Sequence, residues 1–287
     1  MRKFNLTQRE AYNGMLYAAV PVTGFAVFFV VPFVISIVRS FQSGLNPRFV
    51  GLQNYISVFQ SESFLLAASN TLKFIGIGVP TIMVVSLLIA LMLNFVIEKA
   101  SFFRTIFLMP YVIPVASAVM FFQILFERSG VVNTLLLGDN RVDFLHTDSA
   151  FFILLLLYIW KNFGYNMILF LSGLTQIPRE YYDAARVDGA GSWNTFRFVT
   201  FPMLMPTFFF VFIISIVNSF KVFREAYALG GQYPHTSIYM LQHFMNNNFQ
   251  NLNYQRLSVS SVYVFLIIFI IVLVLYNRQR KAGDNQL

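Results

Sequence analysis

Charge is so sparse along this chain that the gaps between charged residues define its elements. Uncharged runs of 28, 24, 22, 23 and 21 residues lie between Glu10 and Arg39, Lys73 and Glu98, Arg104 and Glu127, Arg197 and Lys221, and Arg256 and Arg278. About 20 apolar residues in a helix cross the hydrocarbon core of a bilayer, so each run is long enough to span it. A sixth segment, Ala150 to Leu174, is equally apolar but carries Lys161. The pattern predicts an all-α polytopic membrane protein with six transmembrane helices. The first run is too long for a signal-peptide core and no small-residue cleavage site follows it, so it counts as a helix. Glycines and prolines within the runs, such as Gly76, Pro80, Pro110, Pro114 and Gly164, suit close helix packing and local kinks.

One polar stretch stands out, from Thr175 to Pro202. It carries Arg179, Glu180, Asp183, Arg186, Asp188 and Arg197 and cannot lie in hydrocarbon. Pro178 suits the first position of a helix, and Gly189 suits a left-handed end about three turns later. On that short helix Tyr181, Ala184, Ala185 and Asp188 fall at i, i+3, i+4 and i+7, which gives two small alanines a shared face open to a bulky neighbour. Ser192 is expected to cap a second short helical piece before Pro202 leads back into apolar sequence.

Composition narrows the class. With 57% hydrophobic and 11% charged residues the chain lies far from the quarter-charged average of soluble domains. The absence of cysteine removes disulfides, thiolate metal sites and a cysteine nucleophile. The net charge of +8 is dispersed over loops rather than gathered in a patch, so it reads as a topological signal and not as a nucleic-acid surface. Segments 1–10, 98–104, 175–197 and 278–287 hold 11 lysines and arginines in 50 positions, whereas segments 39–72, 127–148 and 221–256 hold 7 in 92. By the positive-inside rule the denser set is cytoplasmic, which places both termini and the 175–202 loop inside.

Asp183-Ala184-Ala185, then Gly189, then Val199 and Phe201-Pro202 resemble the Glu-Ala-Ala loop of permease subunits of bacterial ABC importers. Here Asp183 stands for the usual Glu, Val199 for Ile and Phe201 for Leu. The stretches Phe49 to Tyr55, Asn70-Thr71-Leu72, Phe102 to Thr105 and Gly130 to Asn133 resemble the sugar-importing branch that includes the maltose and glycerol-phosphate systems. Leu229 to Pro234 departs from that branch by losing a threonine and one glycine. The resemblance implies the type I ABC importer permease fold, with residues 1–69 as the N-terminal segment, first helix and outer loop, 70–278 as the permease core and 279–287 as a cytoplasmic tail. It also implies that Glu180, Asp183, Ala184, Ala185, Asp188, Gly189 and Pro202 seat in a cytoplasmic ATPase. Implied partners are a second, related permease, an ABC ATPase dimer and an extracytoplasmic solute-binding protein, in the cytoplasmic membrane of a bacterium. The chain lacks the long C-terminal tail of the maltose system's second permease and resembles the first of the pair.

The residues themselves offer no catalytic set. No Gly-x-x-x-x-Gly-Lys-Ser/Thr phosphate loop occurs, so ATP and its magnesium belong to the partner ATPase and no cofactor is expected on this chain. His146, His235 and His243 match no metal spacing. An intramembrane charge is a functional hypothesis by default, and Lys161 lies 11 residues into its helix, about 16 Å deep. Asn162, Tyr165 and Asn166 follow it as a polar stripe. Amides with an aromatic ring suit sugar hydroxyls and ring faces, so Lys161, Asn162, Tyr165 and Asn166, with Asn218 and Lys221 of the facing helix, are the candidate solute contacts. The alternative reading of the stripe is hydrogen bonding between helices. The two basic groups leave an acidic or phosphorylated solute as an alternative to a neutral sugar. A self-sufficient secondary carrier would need coupling-ion carboxylates within its helices or a repeated half, and neither is visible. A membrane-bound enzyme is disfavoured by the missing catalytic set.

Overall fold

The computed structural model describes residues 6–44, 48–94, 100–138 and 140–284. The first residues of the expected cytoplasmic segment, residues 95–99 with Glu98, and the end of the expected tail lie outside them. Among the described residues there is no strand; a lone antiparallel bridge joins Gln42 and Phe49.

The helices are α1 (Leu6–Phe25), α2 (Val31–Ser40), α3 (Gln53–Phe59), α4 (Glu62–Asn94), α5 (Ala100–Val112), α6 (Val115–Phe126), α7 (Ala150–Thr175), α8 (Arg179–Val187), α9 (Ser192–Thr195), α10 (Phe201–Phe220), α11 (Phe223–Gly230), α12 (Leu241–Gln250) and α13 (Tyr254–Asp284). Five tracks are long and apolar enough to cross a membrane: Asn13–Ser40, Glu62–Asn94, Ala150–Thr175, Ser192–Gly230 and Tyr254–Val274. The run between Arg104 and Glu127, where a locally kinked single span was expected, is bent much further. Its halves Phe102–Val112 and Val115–Phe126 meet at 92°. The break falls at Pro114, which is extended at ψ 143°. Proline lacks an N–H and bars the residue before it from helical geometry, so the chain turns there.

The chain divides into two compact units, one of residues 1–61 and 248–266, the other of 62–247 and 267–287. In the first, α1 and α2 are joined by a wide π turn, Ala26–Val30, just before Pro32. The Asn54 amide donates to the carbonyls of Ser40 and Gln42, both at 2.8 Å, and so satisfies backbone acceptors that the end of α2 leaves open. The Tyr263 hydroxyl donates to the Tyr55 carbonyl at 3.2 Å, and Phe33 packs on Phe265.

In the second unit α7 is the central helix, lying against α4, α5, α6, α10 and α11. Phe74 of α4 meets Phe151 and Tyr158 of α7 edge to face. Ser86 of α4 donates to the Phe163 carbonyl of α7 at 3.0 Å. A Cβ at Gly164 would overlap the Phe107 carbonyl, so the crossing of α5 over α7 requires glycine there. Asn133, fully buried, ties down the connection between α6 and α7: its amide donates to the Glu127 and Val142 carbonyls and its side-chain oxygen accepts from the Val142 N–H.

Candidate functional site

The polar stripe of α7 exists, but its members have different surroundings. Lys161 is buried and its ammonium lies 3.0 Å from the Glu225 carboxylate of α11, each side chain 10% exposed. No carboxylate within the helices was visible from the sequence. In the structure the helical track Ser192–Gly230 runs past Lys221 and carries Glu225 with it. Lys161 therefore has an ionic partner within the chain, which the sequence offered no period or spacing to reveal: the two lie 64 positions apart.

Asn166 is also buried, and its amide donates to the Ser215 hydroxyl of α10 at 2.8 Å. The Tyr158 hydroxyl donates to the Ser215 carbonyl at 3.2 Å. These two bonds fix α7 against α10, the facing helix expected, and put Asn218 one turn beyond Ser215. Asn162 donates back to the Tyr158 carbonyl of its own helix at 2.8 Å and keeps partial exposure. Asn218 is half-buried and accepts from the exposed Lys221 ammonium at 3.2 Å. Tyr165, half-buried, stacks on Tyr111 of α5 with ring centroids 5.1 Å apart and planes 13° apart. Tyr111 was missed by sequence reasoning, because the elbow at Pro114 that turns α5 across α7 is invisible in hydropathy alone. Its pairing with Tyr165 builds a two-ring apolar platform about one helical turn along α7 from Asn162.

An apolar hollow of about 630 Å³ lies along α5 to the elbow, lined by Arg104, Thr105, Leu108, Met109, Val112 and, across on α7, Ile168. None of the stripe residues lines it. Its walls hold almost no polar atoms, which suits a hydrocarbon surface rather than hydroxyl recognition.

At the C-terminal end of α7 the polar stretch forms the expected helix, with altered ends. Pro178 is the extended residue before α8 (φ −60°, ψ 138°), not its first helical residue. Ser192 is the first residue of α9 and Gly191 precedes it, with no side-chain cap. Gly189 is left-handed at φ 71° as expected. The Gly189 N–H donates to the Arg186 carbonyl at 3.0 Å and the Ala190 N–H to the Ala185 carbonyl at 2.9 Å, the two bonds of a Schellman turn. The alanine face divides: Ala185 is buried while Ala184 stays exposed. The reason is that α8 lies against the π turn Phe196–Thr200, with the Thr200 hydroxyl 3.4 Å from that of Tyr182. Glu180, Asp183 and Asp188 are exposed, and Asp183 makes a 3.6 Å surface pair with Arg186. Large apolar groups stand out in solvent here: Tyr181 is 52%, Val187 88% and Trp193 67% exposed. Pro202, also exposed, sits within a continuous helical track, just after the wide π turn. Proline cannot donate to the carbonyl four residues earlier, and a wide turn relieves that mismatch.

Comparison with known proteins fits this geometry. The lactose transport system permease protein LacF of Rhizobium radiobacter is 33% identical over 224 residues, 75% of each chain. The sn-glycerol-3-phosphate transport system permease protein UgpA of Salmonella choleraesuis is 28% identical over 283 residues, 95% of this chain and 96% of that one. A solved chain of a bacterial ABC transporter involved in import of the acidic polysaccharide alginate superposes with a TM-score of 0.83 at 25% identity, covering 96% of this chain and 98% of that one. The fold is thus that of an ABC importer permease, as the loop motif implied. Residues 68–282 match the family described as binding-protein-dependent transport system inner membrane component, and the chain belongs to that family.

Proposed function

We propose that this chain is one of two membrane-spanning subunits of an ATP-driven importer that moves a sugar or oligosaccharide inward by alternating access. The solute is met by the Tyr111–Tyr165 platform with Asn162 and Asn218, while Lys161 and Asn166 serve as the buried scaffold behind them. The permeases named above, for lactose and for glycerol phosphate, support a sugar-type cargo. ATP is hydrolysed by a separate cytoplasmic ATPase dimer, a second permease completes the pathway, and an external binding protein delivers the solute.

The observation that carries this reading is the exposed face of α8. A short helix that holds Val187 and Tyr181 in solvent, and is braced from behind by Ala185, is built to be covered by another protein. ATP-driven closure of the ATPase would then act on α8 and, through it, on α7 and α10, shifting the population between inward- and outward-facing states. The test uses the assembled importer, purified through a tag on this chain. Ala184→Trp places bulk on the outward face and is expected to abolish solute-stimulated ATP hydrolysis while the chain remains in the membrane. Normal stimulation in a stably inserted Ala184→Trp importer would overturn the docking role.

A further inference from the structure

We infer that Glu225 is the residue that sets the charge selectivity of this permease, making its solute a neutral rather than an acidic sugar. The inference rests on the sugar-importer reading above and assigns the chemical class within it. Among the described residues, Lys161 and Glu225 are the two buried side chains that carry a formal charge. Lys161 stands one turn from Tyr165 and next to Asn162, so an uncompensated ammonium there would put a positive charge beside the solute, where low dielectric magnifies it. Glu225, 3.0 Å away, reduces that charge to a short dipole whose field falls off steeply.

The counter-charge is built in rather than adventitious. Glu225 lies in the first turn of α11, a helix packed on both α6 and α7. Its neighbour Ala226 is fully buried, and Leu229 of the same helix packs on the Ala118, Phe122 and Leu157 cluster. The apolar side of α11 therefore fixes the carboxylate in place, and a flexible rearrangement to admit an anion would have to unpack that side. A solute carboxylate or phosphate approaching Lys161 meets a site already occupied by Glu225, and like charges repel at such distances.

The test compares a matched pair of probes, glucose and glucuronate, by saturation-transfer NMR on the whole importer in nanodiscs. In the wild type, glucuronate is expected to bind no tighter than glucose. In Glu225→Gln the exposed charge of Lys161 should shift the glucuronate-to-glucose affinity ratio by at least about tenfold toward the acid. Adding Lys161→Gln to that variant should return the ratio to its wild-type value. A wild-type importer that holds glucuronate tenfold tighter than glucose overturns the inference, and this measurement needs no variant to fold. So does a folded Glu225→Gln importer whose ratio is unchanged. Should no form bind either sugar while Glu225→Gln gains affinity for inorganic phosphate, the sugar reading fails, the solute class falls with it, and only the counter-charge role of Glu225 stands.

Discussion

Removing one member of the Lys161–Glu225 pair is expected to cost far more stability than removing both. At 3.0 Å the attraction between the two charges is about 5 kcal/mol for an effective dielectric of about 20. Solvent screens little of this, since each side chain is only 10% exposed. Both charges also lost their hydration on burial, so the net worth of the pair against an apolar replacement is small, while stranding either partner costs about 3–5 kcal/mol. Lys161→Met and Glu225→Met should therefore each lower the unfolding free energy by about 3 kcal/mol or more, and the double variant should lie within about 1 kcal/mol of the wild type. The resulting coupling energy is about 5 kcal/mol, well above the roughly 0.6 kcal/mol average of hydrogen bonds between membrane helices. The four proteins of this cycle would be unfolded by titrating sodium dodecyl sulfate into mixed micelles at pH 7 and followed by circular dichroism. Additive losses, with the double variant as unstable as the two singles together, would show that the charges do not act as a unit and would refute the account of Lys161 given above.

Two further outcomes follow from the geometry. The natural chain has no cysteine, so single cysteines report topology without background: Asn140→Cys should react with an impermeant maleimide from outside and Ser192→Cys from inside only, and the reverse pattern would invert the orientation. His243 of α12 is fully buried among Phe223, Tyr227 and Tyr239, and burial pushes its pKa down to about 4 from 6.5. The unfolded chain then binds the extra proton first, so the contribution is intact above pH 6.5 and is lost as pH falls toward 4, by up to roughly 3 kcal/mol. Thermal unfolding at pH 7 and pH 4.5 should show a smaller pH-dependent loss for His243→Phe than for the wild type.

How much of this was legible in the sequence depends on whether the information is local. Spans announce themselves because burying charge in hydrocarbon is prohibitive, so uncharged length alone located four of the five long tracks; the fifth, Ala150–Thr175, is apolar enough to be read despite Lys161. Gly189 announces itself because few other residues tolerate a left-handed helix end. Pro114 lay in plain view, yet hydropathy does not distinguish a kink from the 92° elbow it makes, and Tyr111 was overlooked with it. The identity of Lys161's partner is a matter of how α11 folds back over α6 and α7, which no helical period encodes. Ala184 and Ala185 are adjacent residues of one type, and only the packing of α8 on the π turn Phe196–Thr200 tells which is covered.

The stripe of α7 thus divides between buried ties to neighbouring helices and half-buried groups. Asn166 is tied to Ser215 of α10, Lys161 to Glu225 of α11, and the backbone at Phe163 to Ser86 of α4, so three polar ties radiate from the middle of one helix. Each satisfies a group that hydrocarbon would penalise if left alone, so pulling any of the three neighbours away from α7 exposes an orphan donor or acceptor. The places where bending is cheap are those where the backbone ladder is already interrupted: the elbow at Pro114 and the π turn Phe196–Thr200 ahead of Pro202. One of these joints adjoins the Tyr111 platform and the other adjoins α8. On the proposed docking of α8, a push there would meet a stiff α7 of 26 residues, about 39 Å long, and the deformation would fall first at these two joints, where the ladder is already open.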